Sequence, residues 1–161
     1  MESVEKQKLW YAAKVYYNRV RPIQERLTED GVECFVPEVM PSLIFFREQA
    51  AYLKRFEQDN FDKLWVYRDP LTHRPSAIPA KEMEVFIFVC SVGKRGLTYL
   101  GDDRPEYHQG DLVRVTEGPF KGAVGHIKRI KKDRRLVVSV RGIAAVATTY
   151  IQPQLLEIIK P

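Results

Sequence analysis

The sequence is poor in the residues that build most catalytic and metal centres. It has two cysteines, Cys34 and Cys90, and three histidines, His73, His108 and His126, among 161 residues. The cysteines lie far apart and outside any Cys-x-x-Cys pattern, which argues against a disulfide framework and for a reducing cytoplasm. The histidines are scattered, with no His-Glu-x-x-His or other paired spacing, so no metal is expected. No Gly-rich phosphate loop is present, and no cofactor is expected. Cys34 would serve as a nucleophile only with a His and an Asn or Asp assembled around it, and nothing local supplies them. It reads instead as a small buried strand residue, and Cys90 as part of an apolar helix face. Asp102-Asp103 reads as a turn. These absences together exclude an enzyme. Long apolar runs are missing too: the longest, 43–46 and 85–90, fall far short of the ~18 residues of a membrane span. The first residues, MESVEK, lack the apolar region of a signal peptide. No membrane partner is expected.

What is present is charge, unevenly placed. The net charge is +5, but residues 108–161 hold 10 Lys and Arg against 4 Asp and Glu, while residues 1–107 hold 16 against 17. The basic character therefore belongs to the C-terminal third, the asymmetry expected of a surface facing nucleic acid or an acidic partner.

Periodicity divides the chain in the same way. Residues 9–17, LWYAAKVYY, read as an aromatic-rich strand. Asn18 is placed to cap a helix, with Pro22 in its first turn. Val20, Ile23 and Leu27 share one face, and Gly31 is a helix stop. Strands follow at 33–36, 42–46 and 64–67, with a second helix at 48–57 whose Ala50, Leu53 and Phe56 face inward. A polar, proline-punctuated loop, DPLTHRPSAIP, leads to a third helix opened by Pro79, with Met83, Phe86, Ile87 and Cys90 on its apolar stripe. Strands interleaved with helices imply a sheet covered by helices. Residues 93–107, rich in Gly with Pro105, read as a linker. From Gly110 onward helical period is absent and about five short strands follow, with Gly125 expected at a bulge or bend. Such spacing implies a small barrel or sandwich.

Two stretches resemble a known family. GDLVRVTEGPFKGAVGHIKRI resembles a KOW motif through its Gly110-Asp111 lead-in, alternating strand, Gly118, Phe120, Gly122 and second strand. LWYAAKVYY, the helix after it, ECFVP and MPSLIFF resemble the NGN domain of NusG-type transcription factors, and the order of the two matches NusG. The closing stretch RIKKDRRLVVSVRGIAAVATTYI looks closest to specialised NusG paralogues of Bacteroidetes, some of which act as antiterminators of capsular polysaccharide operons. The resemblance implies an α+β chain: an NGN-type α/β sandwich at 1–92, a linker at 93–107, and an SH3-like five-stranded β-barrel at 108–161. It implies a monomeric transcription elongation factor.

The same resemblance supplies site residues. NGN domains dock on the clamp helices of the largest subunit of bacterial RNA polymerase through an apolar patch; here the matching positions are Trp10, Lys14, Tyr16, Met40, Pro41, Leu43 and Phe45. Strand alternation puts Leu43 and Phe45 on one face and Ile44 and Phe46 on the other, under the helices. Leu43 and Phe45 thus read either as this patch or as core. Two features depart from the family. Ser42-Leu43 stands where a Gly-Tyr is expected, and only Glu38-Val39-Met40 separates Pro37 from Pro41, where many relatives carry a long basic hairpin.

Arg19 and Arg21, with Arg26 nearby, suit the non-template DNA strand or form a solvated helix face. Lys128, Arg129, Lys131, Lys132, Arg134 and Arg135 span a strand end and hairpin tip, a cluster suited to nascent RNA or again a solvated tip. NusG-type KOW domains bind ribosomal protein S10 or the termination factor Rho through a loop edge. The matching positions are Phe120, Arg141 and Ile143, the last either exposed or plugging the barrel. The rival to the elongation-factor reading is a KOW-type RNA- or ribosome-binding protein that does not act on polymerase.

Overall fold

The computed structural model describes residues 7–93 and 95–160. They form two compact units, Met1–Ala80 and Lys81–Pro161. The first contains β1 (Leu9–Val15), α1 (Val20–Glu29), β2 (Glu33–Phe35), β3 (Leu43–Glu48), α2 (Ala50–Asp59) and β4 (Leu64–Val66). Its antiparallel sheet has the order β2-β3-β1-β4.

Register decides which side chains form the core. Tyr11 faces Phe46 and Ala13 faces Ile44 across the β1–β3 pair. Cross-strand partners share a face, so these four point together. They join Ile23 and Leu27 of α1 and Leu53 and Phe56 of α2 in one buried cluster, as the alternation and helix spacing require. Phe46 and Phe56 meet edge to face at 5.5 Å, the arrangement the ring quadrupoles favour.

Helix α1 ends as its Gly predicts. Gly31 has φ +72, its N–H donates to Thr28 O and the Val32 N–H donates to Leu27 O, the paired bonds of a Schellman stop. Its start differs from expectation. Asn18 is not the cap: with Tyr17 it takes positive φ, 58° and 54°, and Arg19 holds the cap position without a side-chain bond. Asn tolerates the left-handed region, and the chain uses that tolerance to turn out of β1.

The 67–78 loop is more ordered than its prolines suggest. Asp69 accepts the N–H groups of Leu71 and Thr72 at 2.8 and 3.0 Å, and these bonds hold its carboxyl below the usual range. Backbone bridges join Arg68 to Pro75 and Trp10 to Ile78.

The second unit takes in α3 (Ala80–Val92), β5 (Thr98–Gly101), β6 (Leu112–Val115), β7 (Val124–Ile130), β8 (Asp133–Val140), β9 (Ala144–Tyr150) and β10 (Leu156–Ile158). Along α3, Met83, Phe86, Val89 and Cys90 are buried, whereas Ile87 is only half-buried. Residues 85–90 are apolar without interruption, so no single stripe stands out from the sequence.

The second sheet runs β10-β6-β7-β8-β9-β5. Five of its strands come from the stretch expected to be barrel. The sixth, β5, corrects the reading of 93–107 as a linker: Thr98, Tyr99 and Gly101 pair with Ala147, Val146 and Ala145. Leu100 and Tyr107 pack with Ile130 over Val137, Ala145 and Ala147. Gly101, at φ +90, lies within β5 where its register against β9 shifts, and does not mark a linker. The compact unit starts at Lys81, so neither expected boundary coincides with it.

Gly125 is neither bulge nor bend. It pairs in regular register with Val113, and a Cβ placed on it would lie 2.3 Å from Val137 O. Register shifts fall instead between β5 and β9 and between β8 and β9, in the second of which Arg135 pairs with Tyr150 and Val137 with Ala147. There the buried Thr148 hydroxyl accepts the Leu136 N–H at 3.3 Å, satisfying a donor that the shifted ladder would strand.

Candidate functional site

Strands β7 and β8 are joined by a two-residue turn, Lys131-Lys132, because Ile130 pairs directly with Asp133. Lys131 has φ 50 and Lys132 φ 80. Positive φ at both central residues is the type I′ turn, whose twist matches the strands and which normally takes Asn-Gly. Two lysines there are held in a conformation that disfavours their side chains.

Register sorts the six basic residues expected at this tip. Arg129 lies opposite Arg134, and Lys128 opposite Arg135. Arg129, Lys131, Lys132 and Arg134 are exposed, and none of the four has an ion-pair partner among the described residues. Lys128 and Arg135 sit on the other face and are committed internally. Lys128 Nζ donates to Glu106 O. The Arg135 side chain is 16% exposed, bonds Thr98 Oγ1 at 3.3 Å and approaches Asp133 at 3.6 Å, and its enclosed Nε has no partner. The hairpin therefore presents four cations, not six.

The residues expected to dock on polymerase separate by burial. Trp10, Met40, Leu43 and Phe45 are buried, the last at 0% exposure. Lys14, Pro41 and Tyr16 are exposed. Trp10, Met40, Leu43 and Phe45 therefore do not form an exposed patch. The run Leu43–Phe46 is enclosed on both faces, as continuous apolar strands usually are. Trp65 was missed by the sequence reading. It stands opposite Lys14 on β4, is 46% exposed and meets Tyr67 edge to face at 4.5 Å. Its signal was in the alternation Leu64-Trp65-Val66, where both neighbours are buried. Around α1, Arg21 pairs with Glu25 at 3.4 Å and Arg26 with Asp30 and Asp59, while Arg19 is exposed without an ion pair among the described residues.

The expected partner loop of the second unit is tied down. Ile143 is buried at 2% exposure, so it plugs the sheet and is not a contact residue. Phe120 is half-buried, with its ring against the Gly93 backbone. The Arg141 N–H donates to the Glu82 carboxylate and the Gly142 N–H to Asp103 at 2.8 Å. Of the three expected contact residues, only Arg141 is exposed. Asp103 also meets His108 Nε2 at 2.8 Å, and Ser139 approaches that same nitrogen at 3.5 Å. A relay needs the carboxylate and the hydroxyl on different ring nitrogens, so this trio is not a hydrolytic triad.

With this geometry in place, comparisons with known proteins can be set against it. Residues 109–141 match the KOW motif family, a span covering β6, β7, β8 and the whole basic hairpin. No curated protein sequence matches the chain. Among solved structures, Thermotoga maritima NusG, from a study of its domain interaction, is similar at TM-score 0.55 and 15% identity, over 96% of this chain and 98% of that chain. A chain of the MjSpt4:Spt5 complex, conformation B, aligns at TM-score 0.38 and 13% identity, over 95% and 98%, too loosely to argue from. The chain thus carries a KOW motif within a mixed α/β fold like that of NusG, with three α-helices and two antiparallel sheets among the described residues.

Proposed function

We propose that this protein is a transcription elongation factor of NusG type, whose first unit binds RNA polymerase and whose basic β7–β8 hairpin holds nucleic-acid phosphates. The observation that carries the reading is a KOW motif bearing four unpaired cations, within a NusG-like fold that extends over 96% of the chain. Cations with no internal partner cost little to bring to phosphate, because no ion pair has to be broken first. The hairpin has no Phe, Tyr or Trp among 124–140, and its one imidazole, His126, lies against the His108 ring at the root and not at the tip, so contact runs to the backbone of RNA, not to stacked bases.

For polymerase the accessible candidates on the sheet face are Lys14, Trp65, Tyr16 and Pro41. An exposed Trp beside a free Lys suits a protein hot spot on the clamp helices. Leu43→Asp would bury a charge and unfold the unit, so it does not test docking; Lys14→Glu with Trp65→Ala does. Loss of polymerase from a pull-down with this variant, at an unchanged melting temperature, is the expected result. The finer reading, an antiterminator of the specialised Bacteroidetes type, rests on the sequence resemblance. It is tested by terminator read-through with the cognate polymerase in vitro.

The same hairpin would also serve a KOW-type RNA- or ribosome-binding protein. Tagged protein that recovers ribosomes or RNA and no polymerase would favour that alternative.

A further inference from the structure

Beside α2, the first unit holds a pocket of about 650 Å³ that neither the hairpin nor the polymerase reading uses. Its size lies within the roughly 300–1,000 Å³ range of ligand sites. The apolar lining comes from Leu9 on β1, Leu53 on α2, and Pro75 and Ala77 on the ordered loop.

Two features of this pocket point to a ligand. The first is Tyr11, which lines it. Tyr11 is 4% exposed as a residue, but its hydroxyl is not among the enclosed polar atoms and has no hydrogen-bond partner among the described residues, so it stands at the pocket wall as an available donor. A tyrosine hydroxyl at the wall of an apolar pocket is a polar handle that can fix the orientation of what fills it. Burial also pushes the phenol's pKa up, so the group stays a donor. The second is the charge at the mouth. Arg68 is already spent on Glu57 and on His73 O. Lys54 and Arg74 are exposed, and neither has an ion-pair partner among the described residues.

An apolar floor, a free donor at its wall and two free cations define three kinds of anchor. We propose that this pocket binds a short acidic peptide segment of a partner protein. One bulky apolar side chain of the peptide fills the floor, a backbone carbonyl accepts the Tyr11 hydroxyl, and flanking carboxylates face Lys54 and Arg74. A simple apolar ligand would leave the Tyr11 donor and both cations unused, and a free anion would leave the floor empty.

The test uses the full chain and fluorescein-labelled peptides read by fluorescence polarisation. The acidic probe is Gly-Asp-Leu-Phe-Asp-Gly, the control Gly-Lys-Leu-Phe-Lys-Gly, and decanoate is the small-carboxylate competitor. The acidic probe is expected to bind and the basic control not. Tyr11→Phe, which removes only the hydroxyl, should weaken binding about three- to tenfold, the worth of one hydrogen bond. Lys54→Gln with Arg74→Gln should weaken it further and flatten its salt dependence. Both changed residues of that second variant are on the surface, so it still decides the matter should Tyr11→Phe lose stability. Equal binding of acidic and basic probes, binding unchanged in both variants, or binding of decanoate alone would each overturn the proposal. None of these outcomes touches the hairpin, so failure here leaves the proposed function standing.

Discussion

Arg129 and Arg134 face each other directly across the β7–β8 hairpin, with no carboxylate paired to either among the described residues. Like charges in opposed strand positions destabilise the pair, by an amount on the scale of roughly 0.2–1 kcal/mol. Arg129→Gln with Arg134→Gln is therefore expected to leave the fold intact or slightly raise its melting temperature. RNA affinity should fall, and the slope of log K against log salt should flatten by about 1.4, the share of two phosphate contacts on a single strand. Filter binding between 50 and 200 mM salt, an illustrative window of about that width, measures it. An unchanged slope would return these arginines to a solvated surface.

The turn itself makes a second prediction, with stability and binding moving in opposite directions. Lys131→Asn with Lys132→Gly installs the residues that positive φ favours, at φ 50 and 80. Relief of two strained positions should add about 1–2 kcal/mol to stability, seen as a higher denaturant midpoint. The same change removes two of the four free cations, so RNA affinity should drop. A variant that gains stability and keeps full affinity would show that the lysines are not there for phosphate.

Why some of this was legible in the sequence and some was not follows from the range of the interactions involved. The core of the first unit was readable, because Ile44 and Phe46 alternate with Leu43 and Phe45, and Ile23 and Leu27 repeat at helical spacing. The burial of Leu43 and Phe45 was not, since alternation assigns a face and does not say whether that face is covered. The same holds for Ile143: a residue after Gly142 in a turn can point either way, and only the completed sheet shows it inward at 2% exposure. Six basic residues among the eight of 128–135 suggested one cluster, but strand parity splits it, leaving Lys128 and Arg135 against the 98–106 segment. That segment was misread because Gly96, Gly101 and Pro105 signal turns without saying what lies between them. Tyr11 was visible as a strand aromatic, whereas the place of its hydroxyl at the wall of a pocket is a property of the packed structure alone.

Cys90 offers a test of burial in α3. Burial pushes its thiol up to about 12, against 9.0 for a free thiol, so ionisation is disfavoured in the folded chain. In the unfolded chain the thiol ionises near its free value. The contribution is thus fully present below pH 9 and declines as pH rises toward 12, because unfolding then releases a proton. Between pH 9 and 10 wild type should lose about 1 kcal/mol more stability than Cys90→Ala does over the same interval. Urea midpoints of the two proteins measure the difference. Iodoacetamide at pH 8 should label Cys90 only on unfolding, and rapid labelling of native protein would contradict its burial.

Gly125 gives the sharpest prediction about the second unit. Its Cα faces the backbone of β8, and a Cβ there would stand 2.3 Å from Val137 O and 3.1 Å from a Leu136 methyl carbon. The first neighbour is backbone in a paired strand and has no rotamer by which to retreat. Gly125→Ala must therefore push β7 from β8, at the root of the hairpin that carries the four cations. The expected cost is about 2–4 kcal/mol, well beyond the roughly 1 kcal/mol that Ala normally gains over Gly in an element interior. Because the hairpin is rooted there, RNA affinity should fall although no charge is removed. Gly122→Ala is the comparison. It has open space around its Cβ position and only the strain of φ +92, so it should cost less and leave the hairpin in place. Thermal melts of the two variants, read beside their RNA affinities, test this directly. Equal stability in Gly125→Ala and wild type would mean that β7 and β8 do not approach as closely as Gly125 requires.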